Sequence, residues 1–336
     1  MITTGSPLTI KRETSFVSPY VKIPDNIYSH QFDCDNIFER FILVNIACYI
    51  FEDVITKYKI DIDKEKLATF ISNVSQCYHN NYFHNFQHAI NVLQMTWFLL
   101  NETNLITKLK PHILLALLIS SLCHDIDHPG NTNSYEVNAI TKRALIYNDL
   151  SVLENHHCTI TFELLMKSEL NKCFNYDDFR ELRKTIITCI LSTDMSKHND
   201  LIDEFKRFDI TKNEFIIEQQ IFIAKVLLHY ADLSNILKDF ETSSNWSKKI
   251  LLEYYHQTLK EEFEGLPVLS FMKAQDDISM CVNEINFITT VSLPMWKIFT
   301  DKNPKLGFIN ENIQNNLDNW IQLLEDYKKE SSFENI

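Results

Sequence analysis

Residues 112–131 read HILLALLISSLCHDIDHPGN, and this stretch decides how the chain folds. Its first half is predominantly apolar, which predicts a helix that is buried on all sides. Pro129 and Gly130 favour a sharp turn, so the predicted helix ends near His128. Just before that turn the sequence presents four ionisable residues, His124, Asp125, Asp127 and His128. A buried helix that ends in so many ionisable groups indicates a functional site in the core.

The rest of the chain also favours helices. Only 4 glycines and 8 prolines occur in 336 residues, which is too few for a fold rich in strands and turns. We therefore predict an all-α fold, with an extended N-terminal arm at 1–27 and one compact domain of a dozen or more helices at 28–336. Apolar residues recur at three- and four-residue spacing in the segments 36–55, 88–100, 112–123, 179–193, 218–233, 245–263 and 310–330.

Composition excludes several classes of function. The formal net charge of −13 argues against a nucleic-acid surface, and the sequence has no glycine-rich phosphate loop. The eight cysteines form no CxxC pair, which is typical of free thiols in a reducing compartment. The N-terminus has no signal-peptide core, and no apolar run reaches the ~20 residues that span a bilayer. We expect a soluble chain on the cytoplasmic side, with regulatory or membrane segments only in a longer parent protein.

Three short motifs place metal-binding residue types at helix ends. In FHNFQHA, His84 and His88 are four residues apart and share one helix face. HDIDHPG adds His124 and Asp125, and LLHYADLSN adds Asp232. Each motif alone is also typical of an ordinary polar helix end. Together, two imidazoles and two carboxylates suit a zinc-like ion, and a shared carboxylate can bridge to a harder ion such as magnesium.

Five segments in order give the sequence a specific resemblance. They are FHNFQHA, HDIDHPGNTN, YNDLSVLENHH, LSTDMSKH and ADLSN. In this order and at these separations they resemble the signature segments of class I 3′,5′-cyclic-nucleotide phosphodiesterase catalytic domains. The resemblance runs from about Ile27 to Leu324. It implies a compact multi-helix catalytic domain with a binuclear metal site in a deep pocket.

The resemblance also implies a role for individual residues. His84 matches the family's proton donor. Asp125 matches a bridge between zinc at the first site and magnesium or manganese at the second. The ligands of the first metal match His88, His124, Asp125 and Asp232, and the residues that anchor waters on the second metal match His128, Glu154 and Thr193.

The reaction implied is metal-dependent hydrolysis of a 3′,5′-cyclic nucleotide to the 5′-nucleoside monophosphate. A hydroxide that bridges the two metals attacks the phosphate, and the metals offset the charge on the phosphoryl oxygens. His84 then protonates the leaving ribose O3′. The implied partner is a small cyclic nucleotide, with no nucleic acid and no membrane contact by the chain itself.

The residues implied for base recognition include one departure from the family pattern. Phe287 stands in the stacking position, Ile250 would pack on the other face of the base, and Asn235 would lie near its edge. Glu284 stands where the family has a glutamine that hydrogen-bonds the purine. The segments FHNFQHA and GLPVLSFM are more similar to cGMP-preferring members, so the resemblance slightly favours cGMP over cAMP.

Glu284 leaves several interpretations open. An ionised glutamate accepts hydrogen bonds but cannot donate, so it cannot replace an amide fully. A protonated glutamate could do both, and partial burial would favour that form. Alternatively, the neighbouring Asn283 reads the base, or Glu284 faces solvent and water reads the purine edge.

Other functions compete with this interpretation. A different HD-type metal phosphohydrolase, acting on nucleotides or linear phosphate esters, would share His124 and Asp125 without needing Phe287 and Ile250. A metal-stabilised cyclic-nucleotide sensor would bind without hydrolysis, and the candidate acid His84 argues against it. A purely structural helical scaffold leaves the ionisable cluster unexplained.

Overall fold

The computed structural model describes residues 16–273 and 276–333, and these ranges contain helices and turns but no β-strand. The predicted all-α fold is therefore confirmed. The α-helices are α1 Arg40–Lys57, α2 Lys64–Cys77, α3 Phe86–Glu102, α4 Pro111–Cys123, α5 Asn133–Asn138, α6 Lys142–Tyr147, α7 Val152–Lys167, α8 Tyr176–Leu191, α9 His198–Arg207, α10 Ile217–Asp232, α11 Phe240–Glu264, α12 Asp277–Phe287, α13 Leu293–Lys302 and α14 Phe308–Phe333.

Helix α4 lies at the centre of the core. Every residue from His112 to Cys123 is buried, which confirms the prediction from its apolar sequence. Helices α3, α8 and α10 pack directly against it. A helix that is apolar on all sides is stable only in the interior, so α4 acts as a fixed support for the residues that follow it.

The end of α4 differs from the prediction. The α-helix ends at Cys123, earlier than the predicted end near His128, and the following residues form a turn. Asp127 in this turn has a φ of 61°, a left-handed backbone that cannot continue a right-handed helix. The turn therefore begins within the HDIDH sequence rather than at Pro129.

The segment before α1 packs on the helical core without forming a helix. Ile27 and Phe32 are buried, and the Gln94 side-chain amide of α3 donates to the Ile27 carbonyl over 2.7 Å. Of the predicted arm at 1–27, residues 1–15 lie outside the described part of the chain. The boundary between arm and domain stays a prediction.

The structure also describes two features that the sequence predicted, the absence of membrane-spanning helices among the described residues and the free thiols. Within residues 16–273 and 276–333, no helix is long and apolar enough to cross a membrane. All eight cysteines are free, as predicted. Burial raises the pKa of the Cys123 thiol. This thiol, which is next to His124 in the sequence, therefore stays protonated at neutral pH.

Candidate active site

Four of the predicted metal ligands meet where three core helices begin or end. His88 lies in the first turn of α3, His124 and Asp125 follow α4, and Asp232 is the last residue of α10. One nitrogen or oxygen atom from each side chain lies within 4.8 Å of the corresponding atoms of the other three. The fold therefore brings together residues that are up to 144 positions apart.

The spacing of these atoms fits a single metal ion. His124 Nε2 lies 3.0 Å from Asp125 Oδ2 and 3.2 Å from Asp232 Oδ1. His88 Nε2 lies 3.1 Å from the same Asp232 oxygen. Ligand atoms bound at about 2.1 Å to one zinc ion, at octahedral or tetrahedral angles, are roughly 3.0 to 3.4 Å apart. The donor set and its geometry therefore fit a zinc-class ion.

Hydrogen bonds fix the His124 ring and the helix turn that carries His88. His124 Nδ1 donates to the Ser121 carbonyl over 3.0 Å, which turns Nε2 toward the cluster. The backbone N–H of His88 donates to the Asn85 side chain over 3.0 Å, an N-terminal cap that fixes the first turn of α3. The ligand positions are therefore set by helix termini, which are rigid parts of the fold.

The charges of the cluster suit metal binding. Burial alone would raise the pKa of Asp125, but the His124 imidazole outweighs burial and holds that pKa well below the usual range. His124 lowers the pKa of Asp232 in the same way. Burial lowers the pKa of His88, so this imidazole is neutral at pH 7. Burial alone would lower the pKa of His124, but Asp125 and Asp232 outweigh burial and raise that pKa well above the usual range, so a metal ion would displace the His124 proton on binding. Ionised carboxylates and neutral imidazoles are the forms that bind metals.

A second group of possible ligands adjoins the first. Asp125, His128 and His157 bring ligand atoms within 4.8 Å of one another. His157 Nε2 lies 3.8 Å from Asp125 Oδ1, and its Nδ1 donates to the Ile126 carbonyl over 2.6 Å. Burial lowers the pKa of His157 to about 4. Sequence reasoning missed His157, although it lies three residues after Glu154 in the same LENHH segment.

The three residues predicted to anchor metal-bound water are all buried, and one of them, His128, belongs to this second group. His128 Nδ1 accepts from the Gly130 N–H over 3.1 Å. Glu154 accepts from the Asn133 amide, and burial raises its pKa to about 7. Thr193 Oγ1 donates to a backbone carbonyl over 2.8 Å. Their role in holding water on a second metal stays a prediction.

His84 lies beside the metal cluster and is paired with Glu253. Its Nδ1 donates to one Glu253 carboxylate oxygen, and the other oxygen accepts from the backbone N–H groups of Phe83 and His84 over 2.9 and 3.2 Å. Burial alone would lower the pKa of His84, but the Glu253 carboxylate outweighs burial and raises it to about 9. The His84 ring also stacks on His128, with ring centroids 4.0 Å apart.

Glu253 is a functional residue that sequence reasoning missed. It lies on α11, 169 positions after His84, and no local pattern links the two residues. The periodicity of α11 assigns Glu253 to a helix face but not to a partner. Only the packing of α11 against the loop before α3 brings the pair together.

Asn81 joins the two loops that carry His84 and His128. Its side-chain amide donates to the backbone carbonyls of both histidines, over 2.9 and 2.8 Å. Gly130 is required beside this junction because its φ is +74° and a Cβ there would lie 3.3 Å from Asn81 Oδ1. The glycine therefore permits the close approach of the HDIDHPG turn to the His84 loop.

Asp127, for which the sequence suggested no role, links two further histidines. Its two carboxylate oxygens each lie 2.7 Å from an imidazole nitrogen, one of His79 and one of His156. These contacts lower the pKa of Asp127, although its partial burial alone would raise it. Asp127 therefore ties the turn after α4 to the ends of α2 and α7, outside the ligand cluster.

Glu284 does not face solvent. Its side chain is buried, with 9% of the residue exposed, so the interpretation that it points into water is wrong. Burial raises the pKa of Glu284 to about 7, with a hydrogen bond from Ser247 opposing the shift. The neighbouring Asn283 donates to the Phe271 carbonyl over 2.9 Å, so its amide is already engaged elsewhere.

The other three residues predicted to bind the base lie at partly exposed positions. Phe287 is the last residue of α12, and a π-helical turn, Ile288–Ser292, follows it. Ile250 lies on α11, one turn after the Ser247 that contacts Glu284. Asn235 begins the short helical turn after α10. Their contacts with a nucleotide stay predictions.

Comparison with known proteins identifies the family of the chain. The sequence profile of the 3′5′-cyclic nucleotide phosphodiesterase family matches residues 83–313, and the chain belongs to this family. It is 38% identical, over 75% of its length, to the high affinity cGMP-specific 3′,5′-cyclic phosphodiesterase 9A of Drosophila melanogaster. The human protein of that name is 32% identical over 87% of this chain.

One solved structure has the same fold as this chain over almost the whole length of both chains. The phosphodiesterase domain of a RhoPDE fusion protein from the choanoflagellate Salpingoeca rosetta superposes with a TM-score of 0.85 at 34% identity, covering 90% of this chain and 97% of that one. The curated relatives are longer. The chain spans 16% of the Drosophila protein and 50% of the human one.

The pairing of His84 with Glu253 generates a testable prediction. Replacing the carboxylate in Glu253→Gln removes the negative charge while burial remains, so the pKa of His84 should fall from about 9 by roughly one to three units. An NMR titration of the His84 imidazole measures this shift. Glu241→Gln, an exposed change on the same helix, is the control and should leave the titration unaltered. An unshifted pKa in Glu253→Gln would contradict the assignment.

Proposed function

We propose that this chain hydrolyses 3′,5′-cyclic nucleotides to 5′-nucleoside monophosphates. The proposal rests on the observation that two features lie next to each other. A cluster of four ligand atoms that fits a metal lies next to a histidine that Glu253 keeps protonated. Family membership and the cyclic-nucleotide phosphodiesterases among its relatives support the same reaction.

In this proposal, His88, His124, Asp125 and Asp232 would hold a zinc ion, and Asp125 would also serve magnesium or manganese at a second site. His128, Glu154 and Thr193 would orient water around that second site. His157 lies close to Asp125 and His128 and would therefore adjoin this second site. When bound, such ions acidify water near neutral pH and offset charge on the phosphoryl oxygens.

His84 supplies the proton that the leaving ribose O3′ requires. With a pKa of about 9, the imidazole is protonated at neutral pH. Glu253 orients it through Nδ1, so the Nε2–H is free to donate to the substrate. His128 stacks on the ring and restricts its rotation. These contacts hold the His84 Nε2–H in a fixed orientation, and general acid catalysis requires a donor held in this way.

Phe287 and Ile250 hold the two faces of the base, while Glu284 and Asn235 contact its edge. Glu284 has a pKa of about 7, so both its protonated and ionised forms are present at neutral pH. The protonated form can donate and accept, like the amide it replaces. We assign a slight preference for cGMP, supported by the cGMP-specific relatives.

We also infer that a longer parent protein carries regulatory or membrane segments. The similar Salpingoeca domain belongs to a rhodopsin fusion protein, which supports such an arrangement. The eight free thiols support a location on the cytoplasmic side, in a reducing compartment.

The reaction itself is tested by incubating the purified chain with cAMP and with cGMP, each with and without chelator and added divalent ions. The proposal expects the 5′-monophosphate as product, loss of turnover with chelator, and recovery when zinc and magnesium are restored. Chelator-insensitive turnover, or no turnover of either nucleotide with any divalent ion, would refute it.

Asp125→Ala tests the shared metal ligand. Because Asp125 contributes to both proposed metal sites, we expect turnover to fall at least about 1000-fold and bound metal to decrease. Elemental analysis and a hydrolysis assay measure the two effects. The matched control is Asp127→Asn, on the same turn but outside the ligand cluster, which should keep its metal. Retained metal and turnover in Asp125→Ala would show that this carboxylate is not a ligand.

His84→Ala tests the proton donor separately from the metal. Turnover should fall by about 100- to 10,000-fold because the leaving group loses its acid, while metal content stays unchanged. His79→Ala, an exposed histidine nearby, is the control and should remain active. Loss of metal in His84→Ala would instead make His84 a ligand.

Glu284→Gln tests base recognition. Below pH 7 the wild-type side chain is mainly protonated and resembles an amide, and above pH 7 it is mainly ionised and can only accept. The ratio of cGMP to cAMP hydrolysis should therefore change between pH 6 and 8 in the wild type. Glutamine should remove this pH dependence and hold the ratio near the wild-type value at pH 6. An identical pH profile in both proteins would mean that Glu284 does not read the base.

A further inference from the structure

Helix α7, which carries Glu154 and His157, begins after a strained stretch of backbone. Three non-glycine residues of this stretch are left-handed, with φ values of 53° at Asn148, 62° at Asp149 and 42° at Ser151. Asparagine and aspartate tolerate this conformation, but it is unfavourable for a serine. Such strain persists only where surrounding contacts hold the backbone in place.

Two residues of the turn after α8 hold the Ser151 side chain. The Ser151 hydroxyl donates to Asp194 Oδ2 over 2.7 Å and accepts from Lys197 Nζ over 2.9 Å. Lys197 Nζ also donates to the Leu191 carbonyl over 3.0 Å, and Asp194 Oδ1 accepts from the Ser196 backbone N–H over 2.9 Å. The three side chains of Ser151, Asp194 and Lys197 form a unit, the Ser151 clamp. In this unit Ser151 bonds the turn after α8 and does not cap its own helix.

The Ser151 clamp contains a shielded negative charge. Asp194 is buried, and Ser151 and Lys197 are partly buried. Burial alone would raise the pKa of Asp194, but the hydrogen bonds from Ser151 and Ser196 outweigh burial and lower that pKa, so the carboxylate is ionised at neutral pH. A hydrogen bond to an ionised acceptor is stronger than one between neutral groups. The clamp can therefore offset the unfavourable backbone of Ser151.

The clamp joins the two segments that carry predicted water anchors. Ser151 lies three residues before Glu154, which is in the first turn of α7. Asp194 directly follows Thr193, in the turn after α8. The clamp therefore connects the start of α7 to the end of α8, and the spacing between Glu154 and Thr193 depends on this connection.

We infer that Ser151 and Asp194 are positioning residues for the second metal ion. They fix the spacing of Glu154 and Thr193, and thereby set the affinity for that ion, without contacting the ion or the substrate themselves. The inference rests on the proposed function, in which Glu154 and Thr193 orient water around the second site. Without the clamp, the Ser151 backbone would relax and Glu154 would move with the first turn of α7.

Binding of Mn²⁺ to the zinc-loaded full chain, measured by electron paramagnetic resonance, tests the inference without an activity assay. Asp194→Ala and Ser151→Ala should each raise the Mn²⁺ dissociation constant at least about tenfold. Bound zinc should be unchanged, because the clamp contains none of the four ligands of the first site. The matched control is Thr159→Ala, which removes an exposed hydroxyl that accepts from Tyr147 on the same helix and should leave Mn²⁺ binding unaltered.

Two further variants separate positioning from a general loss of structure. The double variant of Ser151→Ala and Asp194→Ala should bind Mn²⁺ about as well as the weaker single variant, because either change alone opens the clamp. Asp194→Asn keeps an oxygen acceptor for Ser151 and should lose less affinity than Asp194→Ala. Circular dichroism verifies that each variant is folded, and Ser151→Ala is the smaller change should Asp194→Ala not fold.

The outcomes distinguish this inference from the proposed function. Unchanged Mn²⁺ affinity in folded Asp194→Ala or Ser151→Ala, additive losses in the double variant, or an equal loss in Thr159→Ala would overturn the inference and leave the proposed reaction standing. Loss of zinc from Asp194→Ala would also overturn it, because the clamp would then support the whole site. A zinc-loaded wild type that binds no Mn²⁺ would overturn both the inference and the second metal of the proposed function.

Discussion

The structure depends on the convergence of two carboxylates and two imidazoles at one buried point. Burying Asp125 and Asp232 costs several kcal/mol unless opposite charge is close. His124, 3.0 and 3.2 Å away, supplies part of that compensation, and the spacing of all four ligand atoms fits a metal ion that would supply the rest. The apolar α4 matters because it holds the first of these ligands in a fixed place within the core.

A second layer of contacts connects this point to distant parts of the chain. Glu253 of α11 holds His84, and it is itself held by two backbone N–H groups of the same loop. Trp246, about two turns earlier on α11, packs near His88 and donates to Asp33 in the segment before α1. One helix therefore contacts the acid His84, the metal ligand His88 and the N-terminal segment.

Sequence reasoning predicted what depends on local pattern and missed what depends on packing. The apolar runs gave the helices, and the short motifs gave the four ligands that the fold brings together. Glu253 was missed because its partner lies 169 positions away. The early end of α4 depends on the left-handed backbone of Asp127, and the burial of Glu284 depends on how α12 packs, so neither followed from the sequence.

The central claim is that these four side chains form a metal site built into the fold. The metal content of the purified wild-type chain, measured by mass spectrometry after dialysis against a weak chelator, tests it most directly. The account predicts about one zinc-class ion retained per folded chain, because the four ligand atoms already have the spacing that such an ion requires. A folded chain that retains no divalent ion, and takes up none when it is offered, would contradict it.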